Sequence, residues 1–207
     1  MSILDLQSFA RTPLQRDPCD FIVVPEFVHR EVLAEINRDY PGIDEPGNFP
    51  PDELRYGPTF AALLEELASD ETRRAFAGKF GIDLDHLLLQ TTVRRFSEAS
   101  DGAIHNDSRT KIVTALIYFN ESWPHEGGKL RLLRSPKNID SYAAEVAPER
   151  GTLLAFRRSE NSYHGFVPCE AERRSLQMYW VKPKRQSRDE RGPGTLKKRL
   201  KRLFKRH

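Results

Sequence analysis

Between about residues 87 and 181 the chain is a succession of short segments rich in Val, Ile, Thr, Phe and Tyr, cut apart by turn residues. They run Leu87–Phe96, Lys111–Phe119, Lys129–Leu133, Tyr142–Val146, Gly151–Phe156, His164–Val167 and Ser175–Val181. Each has the length of a strand, and nothing between them carries helical periodicity. Such a series closes into a sandwich or barrel and excludes a parallel sheet built from βαβ units. The residues before it read differently. Phe21-Ile22-Val23-Val24 is a short β-branched run stopped by Pro25, after which Val28, Val32, Leu33 and Ile36 recur at helical spacing. Breakers from Pro41-Gly42 to Pro50-Pro51 follow. Thr59 is placed to cap a second helix carrying Phe60, Leu63, Leu64 and Leu67, and Ser69 or Asp70 to start a third over Glu71–Phe80, ended by Gly81. The expected class is α+β: a mainly helical support region over 1–86, an all-β core over 87–181, and a basic linker and tail over 182–207.

The 38% hydrophobic and 30% charged residues suit a globular domain with a polar surface, and no apolar run reaches the length of a membrane span. Met1–Leu14 lacks a basic segment followed by an apolar one, so no secretory signal is expected. Cys19 and Cys169 are too few for a disulfide framework or a Cys-rich zinc site, which points to the reducing cytoplasm. Charge is segregated. Lys182–His207 holds twelve Lys/Arg against two acids, +10; the whole chain is +3, so residues 1–181 carry −7. An argument from net charge to nucleic acid therefore applies to the tail alone, and the acidic body disfavours it.

Two histidines fall in the β region beside other candidate ligands. His105 and Asp107 are two apart, and on extended chain such residues point to one face. His164 opens a later strand. Two imidazoles and one carboxylate leave three positions of an octahedral Fe(II) open, the arrangement that oxygen chemistry with a chelating cosubstrate requires. His-x-Asp alone is also what a loop histidine beside a turn-capping Asp looks like. Arg174, followed by Ser175 on the last strand, adds a third element. A cation inside a barrel is costly to bury unless it meets an anion, and Arg grips a carboxylate through a bidentate fork. His29, His86, His125 and His207 read as surface residues.

Taken in order, these pieces resemble the Fe(II)/2-oxoglutarate-dependent oxygenases, specifically the prolyl-4-hydroxylase-like branch, over roughly Leu87–Val181. The resemblance rests on His105-Asn106-Asp107; Thr114–Asn120; Trp123 with Gly127-Gly128-Lys129-Leu130-Arg131; Gly151–Phe156; and His164, Val167-Pro168 and Arg174. The N-terminal helices look like those of small bacterial members. The family implies a double-stranded β-helix related to cupins and jelly rolls, with Fe(II), 2-oxoglutarate and O2 as cofactors and cosubstrates and ascorbate as a candidate reductant. It implies that His105, Asp107 and His164 ligate iron and that Arg174 binds the distal carboxylate of 2-oxoglutarate, assisted by Tyr118 and Ser175. Phe96 stands where relatives often carry Tyr; Phe donates no hydrogen bond, which leaves Arg94 to serve that wall. Glu172 replaces a frequent Gly. Asp107, where halogenating members have a small residue, implies hydroxylation with release of succinate and CO2.

The alternatives are a non-catalytic cupin-like metal or ligand-binding protein, and an adaptor acting on membrane or nucleic acid through its tail. The substrate stays open among small molecules, lipids, glycans and peptides. In 195–207, Leu196, Leu200, Leu203 and Phe204 make one apolar stripe on a helix otherwise almost all Lys or Arg. That pattern suits an anionic membrane surface, and would place the protein peripherally at the inner face of the membrane; a solubilising tail is the plain alternative. Full-length protein is expected to sediment with anionic vesicles, less at high salt, while a chain ending at Gln186 stays in the supernatant. Identical behaviour of the two forms contradicts the membrane reading.

Overall fold

The computed structural model describes residues 2–183. The tail stripe and most of the linker lie outside the described residues. Eight strands follow one another as β1 (Phe21–Val24), β2 (Leu88–Ser97), β3 (Lys111–Tyr118), β4 (Leu130–Leu133), β5 (Tyr142–Val146), β6 (Leu153–Arg157), β7 (His164–Gly165) and β8 (Ala171–Val181). A five-stranded antiparallel sheet has the order β1-β6-β3-β8-β2, and a three-stranded one the order β5-β4-β7. After β3 the chain passes to the small sheet for β4 and β5, back for β6, over again for β7 and back for β8. This winding between two facing sheets is a double-stranded β-helix in an α+β chain.

Period-2 alternation on the long strands builds two cores. Val113, Ala115 and Ile117 of β3 and Leu176, Met178 and Trp180 of β8 face outward, onto helices α2 (Arg30–Arg38), α3 (Pro58–Leu67) and α4 (Asp70–Phe80). Phe76 of α4 packs its ring 4.8 Å from Trp180, and Phe60 of α3 lies in the same cluster. The alternate residues Leu116, Tyr118, Leu154 and Phe156 face inward, against Leu130, Leu132 and Val146 of the small sheet. The inner strands β3 and β6 are thus buried on both faces, which is why their segments read as nearly continuous apolar runs.

The N-terminal region does not stand apart from the barrel. Phe21–Val24 is an edge strand of the large sheet, in register with β6 from Phe21↔Phe156 to Val24↔Leu153. Ile22 and Val24 join the helical core and Phe21 the inter-sheet core. A short helix, α1 (Leu6–Arg11), precedes it, with Asp5 capping through Ser8 N–H at 2.7 Å. Six residues are too few to leave a periodic signal. Ser69 caps α4 as expected, and Gly81 ends it at φ +62°. Thr59 does not cap α3. Pro58 occupies the first helical position behind Gly57, and Asp39, from the end of α2, accepts the Thr59 amide at 2.7 Å. A Cβ on Gly57 would lie 2.4 Å from the Asp39 carboxyl carbon, so a glycine lets the two helices share this cap.

Candidate metal and cosubstrate site

The loop before β3 and strand β7 are stitched together by reciprocal backbone bonds between His105 and His164, at 3.0 and 2.9 Å. The two rings then meet edge to face with centroids 4.2 Å apart. Close packing of backbones makes this possible. A Cβ on Gly102 would fall 2.2 Å from the Phe166 carbonyl oxygen, and one on Gly165 2.7 Å from that of Gly102. Asp107 follows on the same face as His105. One ligand atom from each of His105, Asp107 and His164 lies within 4.8 Å of the others, so the expected triad converges.

Local bonds prepare each ligand. His105 Nδ1 is 3.0 Å from the Ala103 carbonyl and His164 Nδ1 is 3.0 Å from that of Ser162. A carbonyl only accepts, so each Nδ1 carries the proton and each Nε2 keeps its lone pair for a metal. Burial, with His105 alongside, pulls the His164 pKa down to about 4, so its imidazole is neutral at physiological pH. Burial raises the Asp107 carboxyl, but His164 and Lys111 and the bonds from Lys111 and Thr114 outweigh it and hold the group below the ordinary carboxylate range. Its two oxygens accept from Lys111 Nζ at 2.8 Å and Thr114 Oγ1 at 2.6 Å. Asn106 fastens the loop from behind, donating to Ser159 carbonyl at 2.7 Å and accepting from Ser162 at 2.7 Å.

The triad lines a cavity of about 390 Å³ between the sheets. Its second landmark is a cation, and here the structure corrects the expectation. Arg174 is turned out of the barrel. Its guanidinium pairs with Glu172 at 2.8 Å and bonds Asn37 of α2 through the side-chain oxygen, at 3.0 Å, and the carbonyl. It clamps helix to sheet and touches no part of the cavity. Arg173 lies inside, 2% exposed, on the face that also carries Ser175, Gln177 and Tyr179. Its Nε donates to the Gly128 carbonyl at 2.8 Å and its Nη2 to Tyr118 Oη at 3.4 Å, and the guanidinium lies over the rings of Phe166 and Tyr118. Among the described residues no carboxylate pairs with Arg173, and its Nη1 has no hydrogen-bond partner. The pleat explains the difference. Leu176, Met178 and Trp180 define the apolar outer face of β8, and Arg174 belongs to their row. The polar row, 173-175-177-179, is the inner one, and that alternation in the sequence is the signal that identifies Arg173.

The other expected residues divide similarly. Tyr118, Ser175 and Arg94 form one cross-strand row on the inner face, through the pairs Tyr118↔Ser175 and Arg94↔Ser175. Tyr118 is fully buried, and burial pushes its phenol pKa up, so it remains a neutral hydroxyl beside Arg173. Ser175 is fully buried with its hydroxyl unpartnered. Arg94 lines the cavity but is occupied: it pairs with Asp101 and donates to the Phe96 carbonyl at 2.7 Å, fastening the 98–101 loop. Trp123 is structural. It donates to the Gly127 carbonyl at 2.8 Å and packs against Gly128, where a Cβ would stand 2.4 Å from its ring. The double glycine thereby aims the Gly128 carbonyl at Arg173.

The residues fit the cofactors that the family implies. Two imidazoles with free Nε2 and a carboxylate suit Fe(II). A buried, anion-free guanidinium beside an unpartnered serine and a neutral tyrosine suits the far carboxylate of 2-oxoglutarate.

Residues 91–182 match the family model of the 2OG-Fe(II) oxygenase superfamily. No curated protein matches the chain. Solved structures share the fold at low identity. A prolyl-4-hydroxylase from Pseudomonas putida aligns over 86% of this chain and 92% of its own at 20% identity and a TM-score of 0.55. A 2OG-Fe(II) oxygenase family oxidoreductase from Burkholderia pseudomallei aligns over 86% and 91% at 17% identity and 0.54. The 2-oxoglutarate complex of the viral collagen prolyl hydroxylase from Paramecium bursaria Chlorella virus-1 aligns over 79% and 96% at 13% identity and 0.54. Residues 91–182 thus resemble the 2OG-Fe(II) oxygenase superfamily, and the chain has the fold of the solved prolyl-4-hydroxylase-like structures.

His164 yields a test of the buried site. Its folded pKa, about 4, is below the ordinary value of 6.5, so between these values the unfolded chain binds the proton and the folded chain does not. Metal-free protein should therefore lose stability as pH falls from about 6.5 towards 4, by as much as ~3 kcal/mol. Urea midpoints across that window check this, and His164→Gln should flatten the fall.

Proposed function

We propose that this chain is an Fe(II)- and 2-oxoglutarate-dependent oxygenase that hydroxylates its substrate, with His105, Asp107 and His164 holding Fe(II) and Arg173, Tyr118 and Ser175 holding 2-oxoglutarate. The reading rests on one observation: a complete two-His, one-carboxylate triad shares a cavity with a buried Arg173 that has no anion of its own. When bound, Fe(II) with 2-oxoglutarate and O2 supplies oxidative decarboxylation to succinate and CO2, coupled to transfer of one oxygen atom into a C–H bond. The chain's own part is orientation and exclusion of water. Carbonyls of Ala103 and Ser162 hold both Nδ1 protons, so the ring orientations are set before any ion arrives. Thr114 holds one oxygen of the Asp107 carboxylate by a 2.6 Å hydrogen bond. The Gly128 carbonyl fixes Arg173 at Nε, leaving Nη1 directed to a ligand carboxylate, with the Tyr118 hydroxyl beside it. Leu116, Leu130 and Phe166 keep the wall between these polar groups apolar.

A non-catalytic binding protein on the same barrel would be expected to lack a ligand or the anion site, and this chain has both. Among the described residues no helix is long and apolar enough to cross a membrane. Peripheral attachment through 195–207 is retained as a proposal and is independent of the chemistry. The neighbours named prolyl hydroxylases support a C–H hydroxylation; at their level of identity they speak for the fold.

The experiment is anaerobic binding of Fe(II) and 2-oxoglutarate, followed by succinate formation without added substrate on admission of air. Wild-type protein should consume 2-oxoglutarate and His164→Gln should not. Arg173→Ala should weaken 2-oxoglutarate by about 2–5 kcal/mol while metal binding persists, since it removes one partner of a buried charge pair. Arg174→Ala should leave 2-oxoglutarate affinity within about twofold and only lower stability. Equal losses in the two arginine variants would contradict the assignment.

A further inference from the structure

Lys111 opens β3 at the end of the cavity away from Arg173. It faces Val181 across the sheet. Eight residues of β8, about 26 Å of strand, separate that position from 173. The Lys111 ammonium is 2.8 Å from one Asp107 oxygen and 4.0 Å from the centroid of the Tyr179 ring, and the side chain is 26% exposed. Tyr179 is itself held, its hydroxyl 2.9 Å from Thr92 Oγ1. The only carboxylate paired with Lys111 among the described residues is thus a metal ligand. The other Asp107 oxygen is bound by Thr114, a buried hydroxyl in mid-strand. Of the two partners, the lysine head on its four-carbon stem is the one free to move. The surroundings add positive charge. Arg158 Nε donates to the Asp107 carbonyl at 3.3 Å, and Arg158 and Arg109 share a single acid, Glu160. Three cations therefore flank the ligand loop on a body whose net charge is −7.

We propose that Lys111 is the substrate-recognition group of this cavity. Released from Asp107 when that carboxylate serves the metal, it receives an oxyanion of the substrate: a carboxylate, phosphate or sulfate. The proposal rests on the oxygenase reading and narrows its substrate to an anionic molecule or an anionic group on a larger one. Arg173 does not compete for that group, being at the far end of the cavity and committed to the cosubstrate. The Tyr179 face keeps the ammonium inside the cavity once Asp107 lets go, by cation–π attraction, and Gln177 beside it on the same strand face offers a neutral donor. Metal must then precede substrate, because without metal Asp107 holds the lysine.

The test uses full-length protein loaded with Co(II) and N-oxalylglycine, the unreactive analogue of 2-oxoglutarate, titrated with sulfate and followed by the visible Co(II) spectrum. Wild-type protein should give a saturable response. Lys111→Met should weaken it about tenfold or more, the loss expected for one charge-assisted bond, and Lys111→Arg should retain it. Lys111→Met should also bind Co(II) several-fold more tightly, because nothing competes for Asp107. Weaker Co(II) binding would mean that Lys111 merely orients the ligand, and would overturn the proposal. So would an unchanged sulfate response in Lys111→Met, or none in the wild type with Co(II) bound. Failure of wild-type protein to bind Co(II) at all would remove the oxygenase reading and this proposal together.

Discussion

A guanidinium buried between two sheets with no carboxylate beside it is the constraint around which this site is arranged. Burying a charge without a partner costs several kcal/mol, more than a small domain can spare. Arg173 is tolerated because the Gly128 carbonyl, the Tyr118 hydroxyl and two aromatic faces partly replace water. They leave one end of the fork unsatisfied, the end at which the proposed function places a ligand carboxylate. The double glycine belongs to the same arrangement. Pro168 and Val167 carbonyls crowd Gly127 and the Trp123 ring crowds Gly128, so side chains there would displace the carbonyl that holds the arginine.

The fold brings the three candidate ligands together by a similar economy. His105 and His164 sit on segments that pair with each other, so a backbone ladder sets the distance between their rings. Asp107 comes two residues after His105 on the same extended stretch, and Thr114, seven residues on, returns along β3 to hold it. The helical layer supports this from behind. Trp180, Met178 and Leu176 anchor the outer face of β8 in the helical core, which fixes by alternation what the inner face presents. Arg174 serves that layer, tying β8 to Asn37 of α2.

Much of this was legible in the sequence. Alternating β-branched segments separated by turns gave the barrel strands to within a few residues. The His-x-Asp pair and His164 were identifiable because same-face spacing is a local property of extended chain. What escaped was non-local. The Phe21–Val24 run is too short to declare a partner, and its place beside β6 depends on a contact across more than a hundred residues. Thr59 looked like a cap because the real acceptor, Asp39, arrives from another helix. The choice between Arg173 and Arg174 turned on which face of β8 is inner. Spacing from His164 does not determine this, whereas the apolar row 176-178-180 does. Lys111 gave no signal, since a lysine at the head of a strand is ordinarily a solvated one.

The central claim is that Arg173 awaits a carboxylate, and thermal unfolding with matched ligands tests it without turnover. In the presence of Mn(II) and without O2, 2-oxoglutarate should raise the melting temperature by several degrees, as ligand binding to the folded state requires. 2-Oxovalerate has the same chain length and the same metal-chelating end but lacks the distal carboxylate, and it should raise the melting temperature far less. Equal stabilisation by the two acids would show that no buried cation reads the distal carboxylate, and would contradict the account.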